Sequence, residues 1–190
     1  MKTLILLTAC FLGTKLADSV PVNLKSIQPR VVGGMPAELR QFPYHVLITN
    51  VRDYGSLFCG GAVISNSWVL TFASCTNDIE NITLLFGATN RYNTSEEGQV
   101  SQSISGLDSE KYIIRHPNRY DLALIRLPQK LIFNEYIQAV KLPSNYPFQT
   151  FVNSPAVVSG YGRAFNAGGL YETLQYGYGN IMDLNELVAL

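Results

Sequence analysis

Neither sign of charge predominates in this sequence. Fourteen basic residues balance 14 acidic ones over 190 residues, which leaves no electrostatic footprint for a nucleic acid or an anionic membrane surface. Histidine is scarce, at His45 and His116 alone, and cysteine stops at Cys10, Cys59 and Cys75. None of these has the spacing of zinc ligands, so neither a metal nor any other cofactor is implied. No apolar run reaches the ~18 residues that a spanning helix needs, and the chain has no tandem repeat or low-complexity tract. What remains is the composition of an ordinary folded domain, 47% hydrophobic and 15% charged.

The first residues read as an export address. Lys2 gives a positive start, Leu4 to Gly13 is apolar, and Ala17-Asp18-Ser19 supplies the small residues that signal peptidase prefers, so residues 1–19 are expected to be removed and the product secreted. Export changes the cysteine arithmetic. With Cys10 gone, Cys59 and Cys75 remain in an oxidising compartment and are expected to pair, an enclosure of ~15 residues that contributes roughly 3 kcal/mol in the chain-entropy view. Residues 20–30, with Pro21 and Pro29 and no apolar period, read as a short extended propeptide. Arg30 then precedes Val31-Val32-Gly33-Gly34, a basic residue before a flexible hinge, as at a cleavage site.

From Val31 onward short β-type runs alternate with turn clusters, the pattern of an all-β fold. Strands are predicted over Tyr44 to Thr49, Ala62 to Ile64, Trp68 to Thr71, Ile82 to Phe86, Gln99 to Ile104, Lys111 to Ile114 and Leu122 to Leu127. The second and third form a hairpin across Ser65-Asn66-Ser67, and the series suffices for one barrel over residues 31–141. Leu142 to Pro155 contains Pro143, Pro147 and Pro155 and reads as a linker, because proline donates no ladder hydrogen bond. Residues 156–190 hold Ala156 to Ser159, glycine-rich turns and a last run near Thr173 to Asp183, which reads as part of a second barrel.

Taken together these segments resemble the trypsin and chymotrypsin family of serine proteases, in order from Arg30 to about Glu186. Arg30 before Val31-Val32-Gly33-Gly34 matches the zymogen cleavage site, and Gln41-Phe42-Pro43-Tyr44 the approach to the first strand. Cys59-Gly60-Gly61-Ala62-Val63-Ile64-Ser65 followed by Trp68-Val69-Leu70-Thr71 is the most specific stretch and leads to Cys75. Asp121 to Leu127 matches the strand that starts at the family's catalytic aspartate, and Ser159-Gly160-Tyr161-Gly162 a turn early in the second barrel. Leu174-Gln175-Tyr176 and Asp183 to Glu186 are similar to the insect digestive branch. The resemblance implies an all-β chymotrypsin-like double barrel, the first barrel complete and the second truncated. It also implies an Arg-specific protease as the activating partner.

The family's reaction needs a serine nucleophile, a histidine to take its proton, an aspartate to orient that histidine and backbone donors for the oxyanion. Before Cys75, where the family carries histidine, this chain has Ser74, and a hydroxyl does not accept a proton near neutral pH. His116 falls in a turn that the family places at the surface, and His45 on the first strand, so both are expected to be structural or solvated. No Gly-Asp-Ser-Gly-Gly stretch for the nucleophile occurs in the sequence. Without its aspartate, the amine freed at Val31 is expected to stay solvated, since burying an unpaired ammonium is unfavourable. Asp121 is expected to persist as a relic, hydrogen-bonded to Ser74 or nearby amides.

The sequence therefore points to a secreted, catalytically inactive protease homologue with a protein or peptide ligand. The alternative is a digestive endopeptidase represented by a truncated chain, and a third reading is a decaying gene product. Two sequons, Asn81-Ile82-Thr83 and Asn93-Thr94-Ser95, are glycosylation candidates, with Asn93 preferred because Asn81 opens a strand. Trp68 is expected in the core. The last strand, with Tyr176 and Tyr178, is expected to expose an edge and apolar surface.

Overall fold

The computed structural model describes residues 34–115, 121–143, 150–162 and 169–183. Arg30, Val31 and His116 lie outside them, so the cleavage site, the fate of the Val31 amine and the place of the second histidine are not among its features.

Among the described residues, ten strands form two antiparallel sheets. The larger contains β2 (His45–Arg52), β3 (Gly55–Ser65), β4 (Trp68–Thr71), β5 (Asn81–Phe86), β6 (Val100–Ser105), β7 (Ile113–Arg115) and β8 (Ala123–Arg126), in the order β6-β5-β2-β3-β4-β8-β7. The smaller is β1 (Met35–Pro36), β10 (Gln175–Asn180) and β9 (Pro155–Gly160), with β10 in the middle. The all-β, double-barrel expectation holds. The first barrel is a curled sheet whose described end strands, β6 and β7, do not pair; the short helix α1 (Ser109–Tyr112) packs against both.

Several boundaries differ from the sequence pattern. The strand expected from Lys111 starts at Ile113, because Ser109 to Tyr112 turn helically after a 3-10 turn at Gly106–Asp108. Pro155 does not close a linker. It opens β9, where a proline at the first residue of an edge strand sacrifices no interior ladder bond. Trp68 is half-buried rather than core: Val69, its neighbour, takes the fully buried place, and the strand's alternation turns the indole away.

Period-two alternation explains how β2 serves both sheets. Val46, Ile48 and Asn50 point inward and are fully buried, joining Val63, Val69, Ile82, Leu84, Phe86, Ile125 and Ile137 in the main core. On the opposite face Leu47 joins Ala37, Tyr161 and Leu174 in a second, smaller cluster that ties the large sheet to the small one. Close approach of strands fixes Gly61, where a Cβ would meet Ile48 Cδ1 at 2.9 Å and Val69 Cγ1 at 3.0 Å. Cys59 and Cys75 form a disulfide, as the cysteine arithmetic implies.

Candidate functional site

Asp121 and Ser74, 47 residues apart, meet at the rim of the first barrel. Ser74 sits in a 3-10 turn (Ala73–Thr76) held from three sides. The disulfide ties Cys75 to β3, Asn50 Nδ2 donates to the carbonyls of Cys75 (3.2 Å) and Asn77 (2.8 Å), and Arg115 Nε donates to Thr76 Oγ1 at 2.9 Å. Asn50 is fully buried, and its two donations satisfy the Nδ2 end of the amide, while Oδ1 is buried without a hydrogen-bond partner. Its position explains why a polar residue interrupts an apolar strand face.

Against this turn Asp121 is clamped by three hydrogen bonds. The Ser74 amide donates to Oδ1 at 2.7 Å, the Ser74 hydroxyl donates to Oδ2 at 2.9 Å, and the Ala73 amide donates to the Asp121 carbonyl at 3.1 Å. Asp121 has φ +44°, in the left-handed region, which aspartate tolerates better than most residues and which the clamp holds in place. Hydrogen bonds to an ionised acceptor are among the stronger ones. Both residues are exposed, however, so water competes for the same oxygens. Arg52 extends the cluster: it donates through Nη2 to the Ser74 carbonyl at 3.2 Å and through Nη1 to Tyr54 Oη at 3.2 Å.

Chemically, the arrangement gives Asp121 a donor in place of an acceptor of protons. The carboxylate is occupied by a hydroxyl and an amide, neither of which takes a proton near neutral pH. His45 is not brought to this rim. Its Nδ1 lies 3.1 Å from Ser159 Oγ on β9, and its ring stacks at 5.8 Å from Tyr161 in a tilted arrangement. Burial holds its pKa down at about 4, so the imidazole is neutral at physiological pH. Its Nε2 is buried and has no hydrogen-bond partner. Burial likewise raises the Tyr161 phenol, with Glu96 adding to the rise, and its hydroxyl donates to the Ala88 carbonyl at 3.0 Å.

The His45–Ser159 pair is what sequence reasoning did not find. Both residues belonged to noted segments, but 114 residues separate them, and no spacing rule connects positions on two different sheets. The two sequon asparagines are both exposed: Asn93 in a turn where its Oδ1 accepts from the Ser95 amide at 3.0 Å, Asn81 at the first residue of β5. Among the described residues no group of three histidine, cysteine or carboxylate side chains is placed to hold a metal ion, and no helix is long and apolar enough to cross a membrane.

Comparison with known proteins gives concordant matches. The trypsin family model matches residues 31–189. Coagulation factor IX of Oryctolagus cuniculus is 34% identical over 149 residues, covering 77% of this chain and 53% of the relative. Collagenase of Hypoderma lineatum is 31% identical over 188 residues, covering 94% of this chain and 67% of the relative. Among solved structures, HL collagenase superposes with a TM-score of 0.68 at 27% identity, over 83% of this chain and 66% of that one. The chain thus spans about half the length of curated relatives such as the coagulation factor.

Proposed function

We propose, since the chain belongs to the trypsin family of serine proteases, that it is a secreted homologue that does not hydrolyse peptide bonds and acts by binding a protein or peptide. One observation carries this reading: Ser74 stands before Cys75, and its hydroxyl and amide occupy both oxygens of Asp121. In the family's reaction that carboxylate orients an imidazole, which takes the nucleophile's proton. A serine hydroxyl offers Asp121 a proton instead of a ring to orient. Losing one member of such a triad costs as much as ~10⁶ in turnover, which no gain in substrate binding recovers.

A second reading is favoured by the coverage of the relatives: the sequence is part of a longer, digestive-type endopeptidase. Cleavage behind Arg30 by an Arg-specific protease belongs to both readings, whereas a solvated Val31 amine afterwards belongs to the first, because a longer chain would supply the aspartate that pairs with it. Ser74 separates them, because further sequence would still leave serine before Cys75. The product of the complete transcript, expressed as a recombinant protein and cleaved behind Arg30, is expected to show no turnover of peptide substrates above buffer. Turnover that a serine-directed covalent inhibitor abolishes would overturn the inactive reading in favour of the enzyme.

A further inference from the structure

Asn93 lies in the loop that joins β5 to β6, and two glycines close the base of that loop. Gly87 and Gly98 have φ of +66° and +75°, and a Cβ on Gly87 would meet the Gly98 carbonyl oxygen at 2.7 Å, an approach that a side chain would block. Inside the loop the Glu96 carboxylate accepts from the amides of Thr89 (2.8 Å) and Asn90 (2.9 Å). Asn93 itself is exposed. Its amide donates to Asn90 Oδ1 at 3.2 Å, its carbonyl accepts from Gln99 Nε2 at 2.9 Å, and its own Oδ1 accepts from the Ser95 amide at 3.0 Å.

The last of these bonds makes an Asx turn, which folds the residue two positions on back against the asparagine side chain. All three partners of Asn93 lie within 6 residues of it, so the turn is made locally. Among the described residues Nδ2 makes no hydrogen bond, and a substituent on that nitrogen displaces none. An acceptor motif that demands a hydroxyl two residues on implies that the hydroxyl acts close to the asparagine amide, and the Asx turn returns Ser95 to Asn93. At Asn81 the chain is extended instead. Two residues of strand carry Thr83 roughly 7 Å along β5, where its Oγ1 lies 3.1 Å from Ser103 Oγ. Asn81 is also flanked by Val51 on β2 and Ser105 on β6, whose side chains crowd a first sugar.

We propose that Asn93 carries an N-linked oligosaccharide, in preference to Asn81, added by the glycosyl transferase of the secretory pathway from a lipid pyrophosphate donor. Asn93 Nδ2 forms a bond to the anomeric carbon of the first sugar, and the bond from that carbon to the pyrophosphate oxygen breaks. The electron pair of the broken bond leaves with the lipid pyrophosphate, and one Nδ2 proton passes to a base of the transferase. The product keeps one N–H and the side-chain carbonyl, so the bond from the Ser95 amide survives. This inference rests on the export part of the reading above and takes nothing from the loss of catalysis.

The test expresses the complete transcript with its own leader in secretory cells, recovers the protein from the secretory compartments and the medium, and removes N-glycans with an amidase that leaves aspartate at each carrier asparagine. Peptide mapping is expected to find that conversion at Asn93, and the amidase to abolish a shift in gel mobility. Asn93→Asp keeps the Oδ1 that the turn uses, and Ser95→Ala keeps the amide that donates to it; each is expected to lose the glycan at residue 93, whereas Asn81→Gln retains it. Exported protein unconverted at residue 93, or converted more at Asn81 than at Asn93, would overturn the proposal and leave export standing. Unmodified protein confined to the cytosol would overturn export and the proposal together, so the two failures are distinct.

Discussion

The large sheet and the small one use the same strand chemistry and end in different conditions. In the large sheet, β2, β5 and β8 each bury alternate aliphatic residues completely: Val46 and Ile48, Ile82 and Leu84, Ile125. In the small sheet the buried cluster among the described residues is Ala37, Leu47, Tyr161 and Leu174, and one of the four is borrowed from β2. Meanwhile Val157, Val158, Tyr178 and Met182 remain exposed. Hydrophobic stabilisation scales with apolar area removed from water, so a sheet with one thin layer of cover is held mainly by its contact with a neighbour. Among the described residues, the small sheet thus takes part of its buried cover from the large one.

Substitutions in the two cores sharpen this contrast most. Phe86→Ala in the main core is expected to cost about 3–5 kcal/mol, and Leu174→Ala in the small cluster about 2 kcal/mol, because the thinner site collapses more readily around the gap. Urea denaturation of both variants measures the difference. Equal losses would mean that the two sheets share one cooperative core.

Removing the disulfide with a Cys59→Ser, Cys75→Ser double variant comes next, at about 3 kcal/mol. It should also free the 3-10 turn that holds Ser74. The Ser74 and Ala73 amides, which donate to Asp121, are expected to exchange faster in this variant, while the amides of β10 are unchanged. Faster exchange in β10 would show that the rim and the small sheet are coupled.

The smallest effect is pH-dependent and sits at the junction of the sheets. His45 has an ordinary value of 6.5 and is held at about 4 by burial in the folded chain. Between these values the unfolded chain binds the proton and the folded chain does not, so stability present above pH 6.5 is lost as pH falls towards 4. From about pH 7 to about pH 5 the loss assigned to His45 is about 2 kcal/mol. Comparing the denaturation midpoints of the parent chain and His45→Gln across that range isolates it from the carboxylates. Identical slopes would show that His45 is hydrated in solution, and the junction looser than its packing suggests.

Much of the first barrel is legible in the amino-acid pattern, and for a local reason. Alternation in Ile82 to Phe86, the hairpin turn at Asn66-Ser67, and the glycines behind Cys59 each announce themselves within a few residues. The start of β7 is not legible in this way, because Lys111 and Tyr112 fit either a strand or a helical turn and only their packing between β6 and β7 decides. The rim is legible in part. That Ser74 replaces histidine is plain from the residue before Cys75, whereas the bidentate grip on Asp121 depends on a left-handed backbone at residue 121.

The sequence by itself determined the strand faces, the pairing of Cys59 with Cys75 and the absence of an imidazole beside that cysteine, since each follows from the identity and spacing of near neighbours. Only the tertiary structure decided that His45 meets Ser159 with one nitrogen left over, and that β10 lies between β1 and β9. Those facts arise between sheets, where distance along the chain carries no information about distance in space.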